Sequence, residues 1–596
     1  MHHEAEWAID DSTNCTRHAE SAEDRKIFGA LVFGGSHMAA GYNAREPRPS
    51  KGFPPHASFF RIVAIVDALS STLLGRYAMR QVRWKSYEIS RPGARLLLFA
   101  LLAVVALRTI LNAIVNPLWF DEICTVLVSR MGSAAAIWSA LKDCVDSNPP
   151  GFYLAEGAAH QLVGNSALGW RILPVGGLLV AVGLIYLILA SRVSRLSALA
   201  ATAFLLCTPL MDFGADARPY ALLMGCTACA IAAWQRIDDS PLWALALAAA
   251  CATAISLHYY AVFVWPAFAV AELVVCIVSR RFRGFVWLAF AAGAAPLAFY
   301  LPHLSRLRAY FGQNFWARPE LELLFHAHDW LFNTSGHWGF DFALILTAVL
   351  LFRAVTHAER TNSAGRTAIR IDGVPLEEIV LALMLLWVPA VALIVAELGH
   401  GGLTEQYMLP AVLGGALAFG YLLDKVPVAF RWLLIAVFLL NFSFTFRPIL
   451  SGMLQNGLHS PHEGAGEEIG ELAAEAHAGN LPIVIADGLN YLPLAFYADP
   501  ADFSRIYTIA DPDAAVAYTA RRADTADRTL IALRRHVPLQ VEDYAAFLAA
   551  HRTFILIAGE NRDIEWLPQR LAHEGYAVDL ISTSLDRTIY RVSARP

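Results

Sequence analysis

The chain has 596 residues, of which 57% are hydrophobic and only 16% charged, and its mean hydropathy is +0.46. That much apolar surface exceeds what globular cores hide, so an ordinary soluble multidomain protein is excluded and lipid must be the solvent for much of the chain. A net charge of −5 and a pI near 6.4 leave no basic excess for nucleic-acid phosphates, and eight cysteines are too few for a disulfide scaffold.

Residues 1–90 mix His, Asp, Glu, Pro and Gly without a sustained apolar run or the pattern of a signal peptide, which predicts a poorly ordered cytosolic extension. Within it, Phe59–Leu74 fits an amphipathic surface helix or a short buried one. Met79, followed by Arg80, Arg83, Lys85, Arg91 and Arg95, is a candidate start directly before a cytosolic flank.

From there to residue 450 the chain reads as a membrane domain, since a spanning helix needs about 20 mainly apolar residues. Eleven runs qualify: 96–115, 168–190, 196–211, 219–235, 241–257, 259–278, 284–302, 337–353, 377–397, 407–423 and 428–446. With the N-terminus inside, the cytosolic connections carry Arg192 and Arg195, Arg236, Arg280, Arg281 and Arg283, then Arg353, Arg360, Arg366 and Arg370, then Lys425 and Arg431. This follows the positive-inside rule. The opposite connections are 116–167, 212–218, the His258–Tyr260 turn, 303–336 and 398–406, where long loops are expected to carry function. Residues 455–596 alternate short apolar runs, Leu481–Ala486 and Thr553–Ala558, with helical spacing at Val541–Ala550 and Ile564–Gly575, which predicts a soluble α/β domain on the side of the long loops.

Candidate chemistry gathers at the outer helix ends. Asp121 and Glu122 follow Trp119 and Phe120; interfacial aromatics would hold Asp121 just outside the hydrocarbon, where partial desolvation raises its basicity, or both acids simply begin a helix. Arg171 heads the second run, placed to meet a phosphate or to snorkel into headgroups. Asp216 and Arg218 share a short polar tip, either as functional charges or as a local ion pair. His258 reads as a hydrogen-bond donor or a structural interface residue, and Glu272 stands alone inside the sixth run. Cys124 and Cys144, both in the first outer loop, are the pair that a bridge would join if they are not two free buried thiols.

Several of these motifs together resemble the polyprenyl-phosphate-dependent membrane glycosyltransferases of the GT-C fold. The resemblance is to the family 39-like bacterial branch related to protein O-mannosyltransferases and lipid A aminoarabinose transferases. It rests on Trp119-Phe120-Asp121-Glu122, Asn148-Pro149-Pro150-Gly151-Phe152-Tyr153, Arg171-Ile172-Leu173-Pro174, Asp216-Ala217-Arg218-Pro219-Tyr220, His258-Tyr259-Tyr260 and Gln406-Tyr407-Met408-Leu409-Pro410, across about 96–425. Asn148 stands where that family often has His, and Gln406 where it often has Arg. The resemblance implies a GT-C-like multi-pass α-helical membrane protein with about 11 transmembrane helices and a C-terminal soluble α/β domain. It also implies a polyprenyl-phosphate sugar donor and transfer to an acceptor hydroxyl on the outer face of a bacterial inner membrane.

In that frame Asp121 is the base, with Glu122 beside it, and the step inverts the anomeric centre because no second nucleophile is required. Arg171, Asp216, Arg218, Tyr220, His258 and Tyr259 are the donor-phosphate and substrate candidates. A divalent cation shared by Asp121, Glu122 and Asp216 stays open, as does the acceptor, a glycan, lipid or protein. No nucleic acid is expected as a partner, and membrane lipids are. The competing class is a transporter or flippase of a lipid-linked or envelope precursor; such proteins show inverted repeats and paired broken helices, and neither is seen in the sequence.

Overall fold

The computed structural model describes residues 89–311, 314–363, 366–399, 401–456, 461–559, 564–584 and 587–594. The N-terminal extension up to Glu88, with the Phe59–Leu74 segment and the charge cluster after Met79, lies outside the described residues.

Every one of the apolar runs is helical, because in lipid the backbone must satisfy its own hydrogen bonds. Six helices are long and apolar enough to cross a membrane: Arg91–Val115, Ala167–Ala190, Tyr259–Ser279, Gly284–Phe311, Trp338–Thr356 and Val428–Leu454. A seventh candidate is a pair, Leu376–Leu386 and Val388–Gly399, bent by 55° where Pro389 interrupts the ladder of N–H donors. The remaining runs form shorter helices, Arg195–Leu205, Tyr220–Gln235, Leu242–Leu257 and Pro410–Leu423. Arg195–Leu205 and Pro410–Leu423 are almost wholly buried among their neighbours. A helix wrapped in protein need not match the lipid thickness. The long outer helices instead expose Leu96, Phe99, Leu288, Phe352 and Leu440, the pattern of a lipid-facing surface. The chain is thus a multi-pass membrane protein.

The helices Ala167–Ala190 and Tyr220–Gln235 touch backbone to backbone. A Cβ on Gly177 would lie 2.5 Å from the Leu222 Cα, and one on Gly225 would lie 2.8 Å from the Gly177 carbonyl oxygen. Small residues at such crossings allow the close approach that packing in lipid requires. Arg108, hidden in the first apolar run, is buried and donates to the Met211 carbonyl at 2.9 Å and to Asp212 at 2.6 Å. Glu272 is neutralised by Arg283 and also accepts from the Trp234 indole at 3.1 Å. The one acid inside the sixth run is therefore paired with the connection that follows its own helix.

The Arg-rich connections meet at one end of the bundle. Arg192 pairs with Glu378, Arg283 with Asp238, and Arg353 and Lys425 with Asp372, while the Ser194 N–H donates to Asp424. The same end carries a hairpin, Ala358–Ser363 with Arg366–Ile371, in a connection where the sequence suggested no strands. At the opposite end the connection after the first span folds into three helices, Phe120–Ser129, Ala134–Lys142 and Pro150–Val163.

The C-terminal part forms a six-stranded sheet in the order 541–542, 506–509, 483–485, 553–558, 588–593, 577–583; the first four strands are parallel and the last two antiparallel to their neighbours. Phe547, Phe554, Leu556, Trp566, Leu567 and Leu571 fill its core. The expected helical stretch Val541–Ala550 divides into an edge strand, Val541–Glu542, and a helix, Tyr544–Ala550. This sheet domain packs on the outer-loop end: His536 meets Asp143 at 2.9 Å, the Tyr310 hydroxyl donates to the Arg528 carbonyl at 2.8 Å, and the Tyr497 hydroxyl accepts the Leu118 N–H at 2.8 Å.

Candidate active site

Helix Phe120–Ser129 begins just after the first span, and its two adjacent acids differ in their partners. Glu122 is fully buried and accepts four N–H groups: Arg171 Nε at 2.6 Å, Arg171 Nη2 at 2.5 Å, the Ala217 amide at 2.6 Å and the Trp119 amide at 3.1 Å. The last of these is the helix-start role foreseen for an acid in the first turn. Arg171 also donates Nη1 to the Ala113 and Asn116 carbonyls and Nη2 to that of Pro117, so all five of its N–H groups are engaged. It therefore ties the end of the first span to Glu122 and has no N–H left for a phosphate.

The Asp121 carboxylate accepts no hydrogen bond from the described residues. Burial raises its pKa, the Arg218 guanidinium opposes the rise, and Asp146 adds to it. Arg218 is buried and donates Nη1 to Asp146 at 2.7 Å, and to the Asp121 carbonyl and the Thr125 hydroxyl at 3.2 Å each; its Nε has no partner among the described residues. The partner of Arg218 is thus Asp146, from the first loop, and not its near neighbour Asp216. Asp216 instead accepts the Trp119 indole N–H at 3.2 Å, and burial with the nearby Glu122 raises its pKa well above the usual carboxylate range.

Aromatic rings close the site. His258 packs against Tyr220, Tyr260 and Tyr407 with centroids 5.4, 5.5 and 5.2 Å away. Its Nδ1 accepts the Tyr260 N–H at 3.2 Å and so caps the turn, while burial lowers its pKa to about 3. At neutral pH it is an uncharged ring and brings no cation to the site. Tyr259 faces elsewhere: its hydroxyl donates to His303 Nδ1 at 2.7 Å, and His303 Nε2 donates to the Leu141 carbonyl at 2.7 Å.

Asp121, Arg218, Tyr220 and His258 are thus brought together, Asp216 joins them through Trp119, and Arg171 and Glu122 form the support beneath. Sequence reasoning gave no role to Asp146, Thr125 or Tyr407, although Tyr407 lies inside the quoted Gln406–Pro410 motif and Asp146 stands two residues before Asn148-Pro149-Pro150. It also missed Glu156, buried with both carboxyl oxygens unpartnered among the described residues and its pKa pushed well above the ordinary range by burial. Cys124 and Cys144 are both buried free thiols. Among the described residues no three His, Cys, Asp or Glu side chains gather to hold a metal ion, and in the candidate set Asp121, Glu122 and Asp216 both Glu122 oxygens are taken by N–H donors.

The fold is the GT-C-like architecture anticipated from the sequence, a multi-pass helical membrane protein with a C-terminal α/β domain. It is similar to the crystal structure of ArnT from Cupriavidus metallidurans in the apo state, with a TM-score of 0.51 and 13% identity over 83% of this chain and 97% of that one. It is equally similar to the same protein bound to undecaprenyl phosphate, with a TM-score of 0.51 and 14% identity over 84% of this chain and 98% of that one. The Saccharomyces cerevisiae protein O-mannosyltransferase Pmt1-Pmt2 complex bound to the sugar donor matches more weakly, with a TM-score of 0.29 and 16% identity over 37% of this chain and 36% of that one, and carries no argument. No family model and no curated protein matches the sequence.

Proposed function

We propose that the chain is a membrane glycosyltransferase that moves a sugar from a polyprenyl-phosphate-linked donor to an acceptor hydroxyl at the outer face of a bacterial inner membrane. The observation that carries the reading is the Asp121 carboxylate, free of hydrogen bonds, beside the Arg218 guanidinium at an outer helix end of an ArnT-like fold. Asp121 takes the proton of the acceptor hydroxyl, the oxygen attacks the anomeric carbon, and the bond from that carbon to the phosphate oxygen breaks. The polyprenyl phosphate leaves with the electron pair, and Arg218, held by Asp146, stabilises its charge. One in-line displacement inverts the anomeric centre.

The engagement of every Arg171 N–H narrows the phosphate contacts to Arg218, and Glu122 becomes a support for the loop that bears the base. In this reading residues 1–90 are cytosolic, 91–450 span the membrane, and 455–596 lie outside, where they meet the acceptor. The pairing of Glu272 with Arg283 supports a transferase over a transporter, because it neutralises the acid that stands alone in the sixth run.

The test compares the envelope lipids, polysaccharides and proteins of cells carrying the wild-type gene, an Asp121→Asn gene, or none. One glycan species is expected to vanish in the last two, and the purified protein should release polyprenyl phosphate from a polyprenyl-phosphate sugar. The same glycans in all three strains would overturn the proposal.

A further inference from the structure

The first outer helix is held from both ends by two adjacent residues of the C-terminal domain. At its start, the buried Leu118 N–H donates to the Tyr497 hydroxyl at 2.8 Å, across 379 positions of sequence. Among the described residues no backbone carbonyl is bonded to that amide, so without the phenol a buried donor loses its partner. At its finish, the C-cap residue Arg130 lies 5.4 Å from the Phe496 ring centroid and 5.5 Å from that of Trp170, and Arg130 Nη2 donates to Asn165 at 2.5 Å. The Tyr497 carbonyl is itself bonded to the His462 ring at 2.7 Å, which anchors the end of helix Gly488–Tyr497 within its own domain. Between these two grips lies the helix that carries Asp121 and the fully buried Glu122.

We infer that Tyr497 is a positioning residue for Asp121, and that the C-terminal domain sets the geometry of the first outer loop through Tyr497 and Phe496. The inference deepens the proposed function and rests on its assignment of Asp121. Leu118 is three residues from Asp121, and Pro117 before it fixes the backbone, so a shift of the Leu118 amide is passed on to the base with little lost in between. Docking of the C-terminal domain is then part of assembling the site, and a chain whose sheet domain is displaced carries Asp121 in the wrong place even with every membrane helix intact.

The test uses the full-length protein in detergent and the variant Tyr497→Phe, which removes one hydroxyl and keeps the ring. Hydrogen exchange of the peptide covering 116–124 should accelerate at least about 10-fold at the Leu118 amide, because a lost hydrogen bond exposes that donor, while strand Thr553–Ala558 exchanges as in the wild type. In transfer assays kcat should fall between about 10- and 100-fold with the KM for donor unchanged, since the loss is one of alignment and not of binding. Phe496→Leu, which keeps the Tyr497 hydroxyl but loosens Arg130, should lower kcat less and leave the Leu118 amide protected. Unchanged exchange at 116–124 in Tyr497→Phe, or an unchanged kcat in that variant, overturns the positioning role. A wild-type protein that transfers no sugar overturns the proposed function instead, and the exchange measurement still decides whether Tyr497 holds the loop.

Discussion

Replacing Glu122 by glutamine separates the two adjacent acids by their physics. The wild-type carboxylate accepts two guanidinium N–H groups and two amides at 2.5 to 3.1 Å. Glutamine keeps one acceptor oxygen, turns an NH₂ group towards donors that cannot accept it, and leaves the Arg171 guanidinium, only 3% exposed, without a counter-charge. Removing one partner of a buried pair costs about 3–5 kcal/mol. At 1.36 kcal/mol per factor of ten, that is a drop of about 10²–10⁴ in the folded-to-unfolded ratio, a large part of a total stability of about 5–15 kcal/mol. The assay is the fraction of detergent-solubilised protein that stays monodisperse after a heating series, for Glu122→Gln, Arg171→Met and the two combined. The double variant should recover about 0.5–3 kcal/mol relative to the sum of the single losses, because neither charge is then stranded. A Glu122→Gln protein as heat-resistant as the wild type, or strict additivity in the double variant, would refute the support role.

Asp121→Asn should behave in the opposite way, with normal heat resistance and at least about a 10²-fold loss of transfer. A base acts only when ionised, and burial raises the pKa of Asp121, so kcat/KM should fall with decreasing pH through a limb above the ordinary aspartate value of about 3.9. Asp146→Asn removes a like charge and leaves Arg218 free to act on Asp121, so the same limb should move to lower pH. Thiol labelling of the unfolded, unreduced protein should modify both Cys124 and Cys144, and protection of either without prior reduction would contradict the free thiols. Reporter fusions after Arg236 and Arg283 should read as cytosolic and one after Pro596 as extracytoplasmic, and a cytosolic C-terminus would contradict the proposed orientation.

The helices of the membrane domain were legible because lipid imposes a single rule on composition, and every apolar run obeys it. The ends at which function collects were legible for the same reason, since charge is costly anywhere else. Pairings were not. Arg218 finds Asp146 72 positions away, whereas sequence offers Asp216 as the obvious partner. Arg108 was invisible because a lone arginine in an apolar run gives no sign of the acid that will face it from another helix. Which of two adjacent acids turns inward depends on the rotation of a helix whose neighbours come from residues 171 and 217, so no local spacing separates Asp121 from Glu122. His258, Tyr259 and Tyr260 are consecutive, and only the tight turn that His258 caps decides that Tyr259 leaves the site while Tyr260 stays. In the C-terminal domain Ile483–Ile485 and Thr553–Ala558 stood out within continuous apolar runs, whereas Ile506–Ile509, Ala577–Thr583 and Thr588–Ser593 mix polar residues into their pattern and the two-residue edge strand Val541–Glu542 is too short to leave a period.

The glycine contact between helices Ala167–Ala190 and Tyr220–Gln235 works as a fulcrum. Gly177 lies six residues below Arg171, and Gly225 five below Tyr220, which at 1.5 Å per residue makes lever arms of about 9 and 7.5 Å. With backbone against backbone neither helix can slide, so the remaining freedom is a tilt about the crossing. A tilt of about 3° already displaces the Arg171 end by about 0.5 Å, the tolerance of a catalytic arrangement. Any residue larger than glycine at position 177 or 225 would wedge the two helices, and with them the support of the site, apart.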